Sequence, residues 1–196
     1  MTTDLPERGV LADDWFERMD GIPMTKAPVR SLAISILLPL NGASVLETGS
    51  GTGAMTVELA RAVGEEGRVT SLEFLRAASE LAAKNVERSG LASRVEIIAG
   101  RAPKAIPDGE FDAAFVGGHG RDLEAVLSAC WRRLSSRGRL LLTAITPGTT
   151  SRTLAFFDSI DAKVGFWRVQ TSTGRKAGSD WLLLGNNPID LIWGDR

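Results

Sequence analysis

The residues best placed to do chemistry in this chain are Glu47, Gly49, Gly51 and Gly53, set in the stretch Val45-Leu46-Glu47-Thr48-Gly49-Ser50-Gly51-Thr52-Gly53. An apolar run enters a turn with glycine at three alternate positions, and Met55, Leu59 and Val63 follow at helical spacing. Glycines suit a backbone that turns tightly and lets a ligand approach with no Cβ in the way. The helix behind such a turn points unpaired N–H groups at that ligand. Glu73 ends a second apolar run about twenty residues further on, where a carboxylate can accept hydrogen bonds from both hydroxyls of a ribose. Together these describe a nucleotide-binding turn. His119 is the one histidine of the chain, within Gly117-Gly118-His119-Gly120, and a side chain that titrates near neutrality could move a proton there.

Two nucleotides compete for the turn. Gly49-x-Gly51-x-x-Ala54 formally satisfies the dinucleotide fingerprint. The same residues read as acid-x-Gly-x-Gly-x-Gly, from Glu47 to Gly53, which resembles the first motif of class I S-adenosyl-L-methionine (AdoMet) methyltransferases. Dinucleotide strands usually stay apolar up to the first glycine. Here a carboxylate stands two residues before it, where the methyltransferase resemblance places it near the methionine part of the ligand. AdoMet is the preferred ligand, and Glu73 fits either.

The elements that must position these residues alternate along the chain. Residues 1–20 form an extension whose Trp15-Phe16 pack onto the body, and a helix runs from about Pro28 to Leu38. Strands are expected at Ser44–Thr48, Arg68–Leu72, Arg94–Ile98, Phe111–Val116 and Arg139–Ile145. Helices are expected from Met55 to Val63, from Leu75 to near Gly90 and from Leu123 to Leu134. Thr146–Thr150 reads as a substrate-side loop and Ser151–Ile160 as a further helix. Phe166–Thr171 and Trp181–Leu184 read as two strands around a loop at Ser172–Asp180, and Pro188–Trp193 closes the chain. The expected fold is α/β, Rossmann-like, with a mostly parallel seven-stranded sheet, helices on both faces and an antiparallel C-terminal strand pair. Glu47, Glu73, Ala102 and Gly117 all fall at carboxyl ends of strands, where such sheets bind ligands.

At 196 residues, with 43% hydrophobic and 24% charged residues, the chain reads as one domain, residues 1–196. The net charge of −1 gives no general reason to seek nucleic acid or a membrane. Its distribution is uneven: residues 1–20 hold six acids and two bases, residues 131–196 ten bases and five acids. A basic C-terminal third suits an anionic substrate. Cys130 is alone, which excludes an internal disulfide or a cysteine metal cluster, and no metal site is expected. The acidic N-terminus has no apolar signal region, and no apolar run is long enough to span a membrane, so the cytoplasm is the expected location.

Several stretches together resemble one family, the decarboxylating precorrin-6Y (cobalt-precorrin-6B) carbon-15 methyltransferases of cobalamin synthesis. Gly21-Ile22-Pro23-Met24-Thr25-Lys26 with Val29-Arg30, the glycine turn, Phe115-Val116-Gly117-Gly118 and Asn187-Pro188-Ile189 carry the likeness, which covers roughly residues 20 to 194. The first piece is the most specific, because generic AdoMet enzymes lack it. The resemblance implies AdoMet contacts from Thr25, Gly49, Ser50, Gly51, Thr52, Gly53, Glu73 and Ala102, with Glu47, Phe74, Arg101 and Gly117 beside them. It also implies a homotetramer. His119 and Ser179-Asp180-Trp181 depart from the family pattern, which bears on the substrate side of the site.

The reaction implied is methyl transfer from AdoMet, leaving S-adenosyl-L-homocysteine, to an electron-rich ring carbon, with loss of carbon dioxide from a neighbouring acetate arm. Such chemistry needs an in-line approach more than a strong protein base. The substrate is an anionic tetrapyrrole, and Arg30, Gly118, Thr146, Arg175 and Lys176 are the candidate substrate contacts, with Arg and Lys as carboxylate clamps. His119 is the candidate catalytic group. Two other readings remain: an RNA methyltransferase acting on adenine N1 of tRNA, for which Leu59-Ala60-Arg61-Ala62-Val63-Gly64-Glu65 speaks, and a non-catalytic AdoMet-binding module. The near-neutral charge and the lack of an RNA-binding appendage weigh against RNA.

Overall fold

The structure is a computed structural model that describes residues 9–196. In chain order it comprises α1 (Ala27–Leu37), β1 (Ser44–Thr48), α2 (Ala54–Ala62), β2 (Arg68–Glu73), α3 (Arg76–Arg88), β3 (Val95–Ala99), β4 (Phe111–Val116), α4 (Leu123–Arg132) and β5 (Leu134–Ala144). Then come α5 (Pro147–Ser159), β6 (Lys163–Val169), β7 (Ser172–Ala177), β8 (Asp180–Gly185) and β9 (Ile189–Asp195). Seven strands form one sheet in the order β3-β2-β1-β4-β5-β9-β6. The first five are parallel, and β9 inserts antiparallel between β5 and β6. This is the expected Rossmann-like fold with an antiparallel C-terminal pair.

Strand alternation sorts side chains onto two cores. Val45, Val69, Phe115, Leu141 and Leu191 pack with Ala33, Leu37, Val57 and Leu59 of α1 and α2. Leu46, Leu72, Val116, Leu140, Leu142 and Ile192 face Val126, Leu127 and Phe157 of α4 and α5. Covering on both faces explains why Leu140-Leu141-Leu142 is apolar without alternation. The reversal of strand order between β1 and β4 leaves a crevice at their carboxyl ends, the natural ligand position in such a sheet.

The C-terminal third departs from the sequence reading. Trp181–Leu184 does not join the main sheet. It lies in β8, which pairs with β7 as a separate antiparallel hairpin, so the expected loop at 172–180 is in large part a strand. Ser172-Thr173-Gly174-Arg175-Lys176-Ala177 has no apolar alternation because every residue of β7 is exposed. The antiparallel pair of the sheet is formed instead by β6 and β9. Thr146–Thr150 is not a free loop either: Thr146 caps α5, its Oγ1 accepting from the Thr149 N–H at 3.2 Å, and Pro147 opens the first turn. In the N-terminal stretch Leu11 and Phe16 are buried in the first core; residues 1–8 lie outside the described residues.

Across the β6–β9 pair Gly165 lies opposite Trp193, whose indole covers it so closely that a Cβ would stand 2.1 Å from the ring. Gly165→Ala is therefore expected to cost about 1–3 kcal/mol by overpacking. Urea denaturation would read this as a lowered midpoint; an unchanged midpoint would remove this account of the pair.

Candidate active site

Loops after β1, β2, β3 and β4 converge on one cleft, with the Ile22–Thr25 segment as its cover. The glycine turn builds the floor. Gly49 sits at φ +82°, and a Cβ on it would stand 2.6 Å from the Gly118 backbone. Gly51, at φ +54°, would bring a Cβ to 2.7 Å from the Pro23 carbonyl oxygen. Both glycines are thus required twice, by conformation and by close approach. The Gly117 and Gly118 N–H groups donate to the Thr48 carbonyl at 3.0 and 2.8 Å, and the Thr48 hydroxyl donates back to the Gly118 carbonyl at 2.9 Å. The ends of β1 and β4 are fastened together at the cleft.

Glu73 lines the cleft with its carboxylate already oriented. One oxygen accepts from the Gly51 N–H at 3.0 Å and the other from the Leu75 N–H at 2.9 Å. Each oxygen keeps lone-pair capacity for a ligand hydroxyl. Phe74 presents a half-exposed ring, with the Arg101 guanidinium 4.2 Å from its centroid, and both line the cleft with Ala102. Thr25, Ser50, Thr52 and Ala54 also contribute, whereas Gly53, expected as a contact, does not line the cleft but packs against Ala82 of α3; the Thr52 hydroxyl is buried with no partner among the described residues.

Glu47 corrects the sequence reading. It does not line the cleft but lies fully buried behind the glycine turn. One carboxylate oxygen accepts from the Thr56 and Ser71 hydroxyls at 2.5 and 2.6 Å; Ser71 in turn bonds the Ser50 hydroxyl at 2.6 Å. Burial pushes Glu47 up to about 7, against the lowering effect of those two hydroxyls. Its second oxygen has no partner among the described residues.

His119 lines the cleft between Gly118 and Gly120. Burial and, secondarily, the positive charge of Arg152 hold it below its ordinary value, so it is neutral at physiological pH. Gly117 and Gly118 also line the cleft. The other expected substrate contacts do not. Arg30 is fully buried: its guanidinium donates to the Thr25 carbonyl (2.5 Å), the Leu11 carbonyl (2.5 Å) and the Asp13 carboxylate (2.8 Å), leaving it no reach to a substrate. Thr146 is occupied as a helix cap, and Arg175 and Lys176 stand on the exposed hairpin, away from the cleft wall. The sequence reading missed Leu75 and Ala78, which line the cleft from the start of α3. Their helical spacing marked them only as core positions.

A family model for the precorrin methyltransferase domain matches residues 14–189. The chain is 37% identical over 188 residues to a protein of Sulfurisphaera tokodaii named a probable cobalt-precorrin-6B C(15)-methyltransferase (decarboxylating), covering 95% of this chain and 97% of that one. A protein of the same name from Saccharolobus solfataricus is 32% identical, covering 95% of each chain. The crystal structure of a precorrin 8W decarboxylase from Methanobacterium thermoautotrophicum superposes with a TM-score of 0.88 at 28% identity, covering 94% of this chain and 99% of that one.

The buried Glu47 makes stability fall as pH rises toward neutrality. Its folded value of about 7 lies above the ordinary 4.5, so the folded state holds more protons between those values. The stability contributed by the protonated carboxyl is complete below about 4.5 and is lost as pH rises through 7, a change on the order of 3 kcal/mol. Relative to the wild type, Glu47→Gln should thus gain stability between pH 5 and pH 8. Urea denaturation at both values measures this, and parallel behaviour of the two proteins would exclude it.

Proposed function

The chain belongs to the precorrin methyltransferase family, and we propose that it methylates carbon 15 of a cobalt-precorrin-6B-type tetrapyrrole with decarboxylation of the ring C acetate, in cobalamin biosynthesis. The methyl donor in this reading is AdoMet, and the product of its use is S-adenosyl-L-homocysteine. The observation that carries the donor assignment is the meeting of the glycine turn with an oriented Glu73 in one cleft.

The residues present fit such a ligand. The turn admits no Cβ at Gly49 or Gly51, because the Gly118 and Pro23 backbones close against it to shape the cleft floor. Glu73 would take the ribose hydroxyls, Phe74, Arg101 and Ala102 would flank the adenine, and Thr25, Ser50 and the unpartnered Thr52 hydroxyl would face the remaining polar groups. When bound, AdoMet supplies a sulfonium-activated methyl group.

The protein's part is positioning and one proton. Gly117 and Gly118 form a low wall that lets a flat macrocycle approach the donor side of the cleft. The attacking ring carbon needs no base. Loss of carbon dioxide leaves an electron pair on the former acetate carbon, which takes up one proton while the methylated ring carbon gives one up. His119, a neutral imidazole on the cleft wall, relays that proton in this reading. Arg101 is the cation nearest to hand for a substrate carboxylate on the cleft wall, and Arg175 and Lys176 on the hairpin provide further clamps if a neighbouring subunit presents them.

The hairpin motivates the oligomer in this reading. Trp181 is 63% and Leu183 77% exposed, beside exposed Leu182 and Leu184. Such a patch on a single subunit is a self-association surface, and by family resemblance the assembly is a homotetramer. Light scattering of Trp181→Glu with Leu183→Glu should read a smaller particle than the wild type; an unchanged mass would move the interface elsewhere. The reaction is assigned to the cytoplasm, where a lone buried cysteine such as Cys130 stays reduced.

Mass spectrometry of a precorrin-6B-type substrate incubated with the protein and AdoMet tests the whole reading. One methyl gained with carbon dioxide lost is the expected result, slowed by roughly a hundredfold in His119→Ala with donor affinity retained. An unchanged tetrapyrrole alongside methylated tRNA would replace the substrate assignment. AdoMet binding without turnover on either would leave a binding module.

A further inference from the structure

We infer that residues 9–26 act as a strap over the ligand turn, and that Asn85 and Arg30, neither of which lines the cleft, are the positioning residues that set its closure and so the affinity for the adenosyl ligand. The inference rests on the adenosyl reading of the cleft.

The strap reaches the ligand site at its far end. Pro23 lies so close over Gly51 that a single added methyl would collide with its carbonyl, and Ile22, Pro23 and Thr25 form part of the cleft wall. Nothing in residues 20–25 belongs to a helix or strand of the sheet, so their placement depends on what fastens them.

Two buried side chains do this. Asn85, on α3 and wholly inaccessible, accepts from the Glu17 N–H at 2.9 Å and donates to the Glu17 carbonyl at 3.0 Å. Its remaining amide hydrogen donates to the Thr52 carbonyl at 2.8 Å. A single amide therefore links the strap to the glycine turn itself, and Thr52 is a cleft residue. Arg30 gathers the other end: its guanidinium binds the Thr25 carbonyl, the Leu11 carbonyl and Asp13, and lies 4.9 Å from the Phe16 ring centroid. Asp13 also accepts from the Ala27 N–H at 2.8 Å, which fixes the entry into α1. The planar fork satisfies three acceptors from separate parts of one segment in a fixed geometry that a lysine ammonium does not supply.

Calorimetric titration with S-adenosyl-L-homocysteine tests the inference, paired with trypsin cleavage at the exposed Arg18. The wild type should bind, and the ligand should slow cleavage. Asn85→Ala, which removes three buried hydrogen bonds, and Asp13→Asn, which removes the charge that assists two, should each bind more weakly by roughly tenfold or more and lose the ligand's protection of Arg18. Asp13 is partly exposed, so Asp13→Asn keeps the test open if Asn85→Ala does not fold. Phe157→Leu, in the opposite core, is the control for general destabilisation. Wild-type affinity in both strap variants, or an equal loss in Phe157→Leu, overturns the inference while the adenosyl reading stands. A wild type that does not bind the ligand overturns both.

Discussion

The structure depends on backbone meeting backbone with no side chain between. Gly49 approaches Gly118, and Gly51 approaches Pro23, at distances that exclude even a methyl group. These contacts bring the ends of β1 and β4 and the cover segment to one point, while the Gly51 N–H of the turn orients Glu73. Packing elsewhere tolerates exchanges of similar volume. Here there is no volume to exchange. The floor of the cleft is made of main chain, a rigid way to hold a ligand whose reactive atom must sit in line with its target.

Charge in this molecule is buried selectively. Arg30 and Glu58 are both shielded from water, and each is bonded to the backbone of the first described residues, Glu58 accepting from the Leu11 N–H at 2.6 Å. A buried ion of this kind contributes little net stability but fixes a unique arrangement, because any other leaves a charge unpaired. Glu47 is different. Its partners are hydroxyls rather than cations, so burial dominates and its proton is retained to near neutrality. The two carboxyl groups flanking the turn therefore have opposite duties: Glu73 faces the cleft, and Glu47 ties β1, β2 and α2 together through Thr56 and Ser71.

What could be read from the sequence was local. The glycine turn, Glu73 and the alternating elements through β4 follow from periodicity and spacing within twenty residues, and the structure has them close to where expected; β5 starts at Leu134, five residues before the expected Arg139. Arg30 was misread because charge in a sequence is silent about burial, and the acceptors that enclose it come from residues 11, 13 and 25. Asn85 carried no signal, since an asparagine in an amphipathic helix looks like any polar residue until its partners, 33 and 68 positions away, are known. Thr146 did carry one: threonine before proline, with threonine three residues on, is a helix-start pattern. The hairpin at 172–185 was hidden because its strands bury nothing within the subunit.

The placement of β9 bears on how the chain assembles. β6 hydrogen-bonds in the sheet to β9 alone, and β9 is made some twenty residues later, after the hairpin. On the ribosome, therefore, strands β1 to β5 can zip together in order while residues 163–185 wait outside the sheet. Only the arrival of residues 189–195 supplies the wedge that takes up the edge of β5 and recruits β6 in the same step. Completion of the sheet is thus a late, non-local event, and until it happens the edge of β5 is open.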